Sequence, residues 1–107
     1  GDLWAGNVMW LPPAGHTGDD PAGPWTGAAV IDPAAHGGHA ETDLAMLDLF
    51  GCAGLGRIVA AYHEVSPLAA GWQGRVALHQ VYPLLVHTCL FGGGYGHQAL
   101  AAARAYL

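Results

Sequence analysis

The chain has 107 residues, the length of one domain or part of one. Apolar residues make up 52% and charged residues 10%, against about 25% charged in a typical soluble domain, so part of the apolar surface is expected to be covered by something else. The net charge is −5, with no lysine and only Arg57, Arg75 and Arg104 as cations; nucleic acid and anionic membrane are therefore excluded as main partners, because both need clustered positive charge.

Asn7 to Leu11, "NVMWL", reads as a short strand. Pro12 to Trp25 is a proline- and glycine-rich loop without periodicity. Thr26 to Asp32, "TGAAVID", reads as a second strand. The two strands predict a hairpin (about 7–11 with 26–32). In an antiparallel pair Asn7, starting one strand, neighbours Asp32, ending the other, so a carboxamide and a carboxylate are brought toward one pocket.

The remainder reads as about four helices, making the fold α+β and mainly α. "HAETDLAMLDLFG" has Leu44, Leu47 and Phe50 at helical spacing, Glu41 and Asp43 in its first turn, and Gly51 to end it. "GRIVAAYHEVS" follows and stops before Pro67. "WQGRVALHQVYPLLVHTCLF" predicts a central, buried helix, kinked or locally broken near Pro83. Gly92 to Gly94 end it by breaking the helix, since this glycine run does not follow a strand as a phosphate loop would. An alanine-rich helix closes the chain. Its longest apolar run, Val81 to Phe91, is too short to span a membrane. Cys52 and Cys89 are isolated, which points to reduced thiols and a cytoplasmic location.

The chemistry concentrates in Asp2, Asn7 and Asp32. An Asp followed five residues later by an Asn, on a tight loop feeding a strand, suits phosphoryl transfer. One carboxylate orients the attacking hydroxyl; the amide oxygen and a second carboxylate hold a hard cation such as magnesium. The same residues also fit a blander account, in which Asp32 before Pro33 opens a turn. Seven histidines invite a zinc site, but His36 and His39 lack a completing set at typical spacing, so capping or bracing roles are expected for them. His87 reads as a hydrogen-bonded core histidine, with a substrate-side role left open. Trp10, Trp25 and Trp72 read as packing residues, and Asp19 and Asp20 as solvated charges at a loop tip. Trp4 shares its loop with Asp2 and suits substrate contact.

"GDLWAGN" resembles the catalytic loop of the fructosamine kinase (ketosamine-3-kinase) family. "DPAAHGGHAETDLAMLDLFG" resembles its metal-binding segment and following helix, and "LFGGGYG" the segment before its last helix. The three stretches occur in order across nearly the whole chain. The resemblance implies part of the C-terminal lobe of a protein-kinase-like fold, in the branch with aminoglycoside and choline phosphotransferases. It implies Asp2 as the catalytic aspartate, Asn7 and Asp32 as ligands of Mg2+ bound with ATP, Trp4 as a wall for a sugar-like substrate, and Asp43 as a brace of the catalytic loop through backbone N–H groups. Ala40, where many relatives carry Arg, and Pro83 depart from the family pattern without touching these groups. The glycine-rich loop and strand lysine that grip ATP in such kinases are not in this sequence. Residues 1–107 are accordingly expected to be the large-lobe portion from the catalytic loop onward, inactive alone and open to self-association through uncovered apolar surface. The implied activity of the intact protein is ATP-dependent phosphorylation of a ketosamine, with an aminoglycoside, choline or homoserine kinase as the alternative. No acidic residue follows Glu64, which favours a weakly charged acceptor over a polycation.

Overall fold

A computed structural model describes residues 1–15 and 26–107. Trp25, Asp19 and Asp20, with most of the loop expected from Pro12 to Trp25, lie outside the described residues. A single 3-10 turn, Ala5–Asn7, feeds strand β1 (Val8–Leu11), which pairs antiparallel with β2 (Gly27–Val30). Four helices follow: α1 (Ala40–Leu49), α2 (Leu55–Val65), α3 (Val76–Phe91) and α4 (Tyr95–Arg104), with a 3-10 turn at Trp72–Arg75 leading into α3. Hairpin and helices thus stand in the expected order. The strands are shorter than expected because the ladder closes at Val8 opposite Val30.

Helix α1 is the centre of the module. Leu44, Ala45, Met46 and Leu47 are all buried on it, so the helix is covered on more than one side. His39 caps its N-terminus, its Nδ1 accepting from the Glu41 N–H at 3.3 Å, and Glu41 and Asp43 occupy the first turn, where the helix dipole favours anions. Helix α3 packs against both α1 and α4, and Leu84 of α3 and Ala99 of α4 are both buried.

Helix α3 corrects two expectations. It runs unbroken through Pro83. The ring removes one N–H from the ladder, and the next turn is reinforced from side chains: His87 Nδ1 donates to the Pro83 carbonyl at 2.8 Å and the Thr88 hydroxyl to that of Leu84 at 2.7 Å. Nor is α3 buried all round. Only Pro83 and Leu84 are buried, while Tyr82, Leu90 and Phe91 are 75%, 67% and 68% exposed. Among the described residues α1 and α4 cover two sides of the helix and leave a third open. The same shortage of cover leaves Trp10 half exposed instead of packed, and Trp72 only partly buried at the start of its turn. The sparse charge of the sequence is therefore matched by open apolar surface. Among the described residues, no helix is long and apolar enough to cross a membrane.

Candidate functional site

The hairpin register positions the first two groups. Val8 opposes Val30, and the Ile31 N–H donates to the Asn7 carbonyl at 3.0 Å. Asp32 therefore stands one residue past the partner of Asn7, across the end of the ladder. A second backbone bond, from the Ala34 N–H to the Gly1 carbonyl at 3.2 Å, docks the segment after Asp32 onto the loop that carries Asp2. Both segments needed for the site are thus held together by backbone bonds, independently of their side chains.

Asp2 and Asp32 share an unusual conformation. Their φ angles are +64° and +47°, and among the described residues they are the non-glycine positions with positive φ. Aspartate tolerates the left-handed region better than most residues, but the conformation still costs about 1 kcal/mol or more. Such strain persists only where surrounding contacts enforce it. At Asp2 the enforcement is visible. The Trp4 N–H donates to the Asp2 carbonyl at 3.1 Å, and Asn7 Nδ2 donates to the same carbonyl at 2.9 Å and to Asp2 Oδ2 at 3.1 Å. Asn7 is buried, at 6% exposure. Its amide nitrogen faces Asp2, which leaves its amide oxygen as the remaining ligand atom.

Asp43 reaches the same loop from α1. Its two carboxylate oxygens lie 3.2 Å and 3.4 Å from the Gly1 nitrogen. Oδ1 is fully enclosed and has no hydrogen-bond partner among the described residues. Gly6 has its own steric reason: a Cβ there would fall inside the Trp4 indole, so only glycine lets the ring lie over the loop. Trp4 meets Phe50 edge to face at 6.4 Å between centroids, and Phe50 in turn meets His87 at 4.8 Å.

These groups open onto a cleft of about 950 Å³. Asp2, Trp4, His36, Thr42 and Asp43 line one part of it, and Tyr82, Val86, His87, Leu90 and Phe91 of α3 line another. Asn7 and Asp32 are not among the lining residues; they stand behind and beside the loop. The structure therefore brings Asp2, Trp4 and Asp43 into one cavity and Asn7 against Asp2, with Asp32 alongside at the strand end. His87 is half-buried rather than a core residue. Its Nδ1 donates to the Pro83 carbonyl, so Nε2 is the ring nitrogen left for other partners. His87, for which a substrate-side role is open on sequence, does line the cleft; the apolar wall residues Tyr82, Val86, Leu90 and Phe91 read as core, because only exposure distinguishes a cleft wall from an interior.

A second cluster was also illegible in the sequence. Glu41, buried at 3%, accepts from Arg75 Nε at 2.8 Å and Nη2 at 2.7 Å. His79 Nε2 lies 3.3 Å from Glu41 Oε2, and His79 Nδ1 meets the Thr42 hydroxyl at 3.0 Å. The Arg75 hydrogen bonds hold the Glu41 carboxyl below its ordinary value against the opposing effect of burial, and Glu41 in turn raises Arg75. His39, Glu41 and His79 offer ligand atoms within 4.8 Å of one another, yet the guanidinium fork already engages both carboxylate oxygens. The cluster acts as a clamp, tying the first turn of α1 to the start of α3 and, through the neighbouring Asp43, to the Asp2 loop.

Comparison with known proteins matches this architecture over the full chain. The family model described as fructosamine kinase matches residues 1–107. The chain is 41% identical over 100 residues to a "probable ketoamine kinase" of Synechocystis, covering 92% of this chain and 29% of that protein. It is 35% identical over 104 residues to the ketosamine-3-kinase of Mus musculus, covering 97% and 29%. A crystal structure from Thermobifida fusca, assigned as a fructosamine-3-kinase, superposes with a TM-score of 0.81 at 56% identity, over 98% of this chain and 32% of that one. The chain thus spans under a third of the length of these relatives, and that third contains the strained aspartates, the Asn7 contact and the cleft. It belongs to the fructosamine kinase family.

Proposed function

We propose that the full-length protein carrying these residues transfers the γ-phosphoryl group of ATP to a sugar hydroxyl of a ketosamine, and that residues 1–107 are its large-lobe portion from the catalytic loop onward. The observation that carries this reading is the pair of left-handed aspartates, Asp2 on the loop gripped by Asn7 and Asp32 just past the residue that pairs with Asn7.

Asp2 lines the cleft and is the group that meets the acceptor. Its carboxylate orients the attacking hydroxyl in line with the phosphorus and accepts the proton late, since a loose transition state demands little early deprotonation. The Asn7 amide pins that carboxylate, so little reorganisation is left for the reaction. The donor set fits magnesium: the Asn7 amide oxygen and the Asp32 carboxylate are hard oxygen ligands. When bound, Mg2+ neutralises charge on the ATP phosphates. Trp4 supplies a flat wall for the sugar. Asp43 braces the loop from α1 and fixes the height of Asp2 in the cleft.

The same reading makes the 107 residues inactive alone, because no lysine in them can grip the phosphates. It also makes their exposed Met9, Trp10 and Leu11 surface normally covered, available for self-association in the isolated module. A cytoplasmic location is part of the same reading, in which Cys52 and Cys89 are reduced thiols. An aminoglycoside kinase is the second reading; the apolar α3 wall, with no acidic side chain on it, weighs against a polycationic acceptor. The test is ADP release by the full-length protein with Mg2+ and ATP, comparing a fructosamine and a ribulosamine with kanamycin and choline. Turnover confined to the ketosamines is expected. Turnover of kanamycin or choline but of neither ketosamine contradicts the proposal.

A further inference from the structure

The cleft contains more wall than a sugar uses. Tyr82, Val86 and Leu90 lie at i, i+4 and i+8 on α3, with Pro83, His87 and Phe91 as the adjoining row, and all six line the cavity. At helical rise the two rows form a rail about 13 Å long, roughly twice the width of one sugar ring. Among the described residues, three of the six are open to solvent: Tyr82, Leu90 and Phe91 are 75%, 67% and 68% exposed. Its charge is one-sided as well. Among the described lining residues the acidic side chains are Asp2 and Asp43, and none is Lys or Arg.

We propose that this α3 rail is the subsite for the amine-borne substituent of the ketosamine, and that it selects apolar and aromatic substituents over acidic ones. This deepens the ketosamine kinase reading and rests on it. With the sugar held at Asp2 and Trp4, the substituent on the ketosamine nitrogen leaves the ring and reaches α3. Apolar groups gain there by covering exposed apolar surface, and aromatic ones by stacking on Tyr82 and Phe91. The secondary amine, protonated in neutral water, is accommodated by the two carboxylates. A carboxylate on the substituent would meet like charge from Asp2 and Asp43, with no Lys or Arg among the described lining residues to receive it.

The test uses the full-length protein and three ketosamines of one sugar, made from glycine amide, phenylalanine amide and glutamate. The wild type is expected to favour the phenylalanine amide derivative over the glutamate derivative by about tenfold or more in kcat/KM, mostly through KM. Tyr82→Ala and Leu90→Ala remove exposed side chains and should fold; each is expected to pull that ratio toward one. Leu85→Ala, on the same helix but outside the cavity, is expected to keep it. A wild-type ratio near one, or a ratio that Tyr82→Ala and Leu90→Ala leave unmoved, overturns the rail while the kinase reading stands. Failure to turn over any of the three overturns the kinase reading itself.

Discussion

Asn7 grips Asp2 twice, by its amide nitrogen at 2.9 Å from the Asp2 carbonyl and 3.1 Å from Oδ2. One side chain thereby fixes both the backbone and the carboxylate of a residue whose φ of +64° is unfavourable on its own. The strain is stored locally and offset locally, six residues before a strand that is itself locked to the Asp32 segment. Position and proposed chemistry of the loop are therefore coupled: Asn7, proposed as a metal ligand, also holds Asp2, proposed to orient the hydroxyl.

Asn7→Ala tests that coupling. Deletion leaves the Asp2 carbonyl without its side-chain donor and opens space at a buried position. A stability loss of about 1–3 kcal/mol follows from the cost of an unsatisfied buried group, measured by denaturant unfolding of the full-length protein. The same variant should need more Mg2+ for half-maximal turnover. A variant as stable as the wild type with an unchanged Mg2+ requirement contradicts the dual role.

Gly6→Ala tests the placement of Trp4. A methyl group there displaces the indole, the far end of a side chain that is 40% exposed. Folding should therefore suffer little, while KM for ketosamine rises several-fold and KM for ATP stays near its wild-type value. Equal rises in both KM values would place Trp4 away from the acceptor.

The Glu41–Arg75 clamp makes a pH prediction with a definite sign. Arg75 lowers the Glu41 carboxyl below its ordinary value of 4.5. A depressed carboxyl contributes stability above its unfolded pKa and loses it as pH falls through the folded one. In Glu41→Gln that contribution is absent at every pH. The melting temperature of the wild type should exceed that of Glu41→Gln at neutral pH, and the gap should narrow below pH 4.5. Parallel melting curves across that range would show that the clamp contributes nothing through its charge.

Local signals made much of this legible in the sequence. The hairpin followed from two β-prone runs around a proline-glycine loop, and its antiparallel sense placed Asn7 beside Asp32. His39 at the head of α1 and Gly92 at the end of α3 were readable as cap and stop; Gly92 indeed takes a φ of +65°. Long-range pairing was not readable. Glu41 and Arg75 lie 34 positions apart, and nothing in either neighbourhood announces the other. Helix α3 misled for a different reason. An apolar run carries no mark that tells interior from open wall, so Tyr82 and Phe91 read as core although they face a cleft. The left-handed φ of Asp2 and Asp32 was invisible too, because aspartate is common in loops whatever its φ.

The central claim is that Asp2 orients the acceptor hydroxyl of a ketosamine for attack on ATP. Its most direct test is steady-state kinetics of Asp2→Asn in the full-length protein with a ketosamine, Mg2+ and ATP. The amide keeps the size and hydrogen-bonding reach of the side chain but cannot accept the proton. The account predicts a fall in kcat of about 10²–10⁴-fold with both KM values near wild type and the fold intact. A kcat within a few-fold of wild type would contradict it.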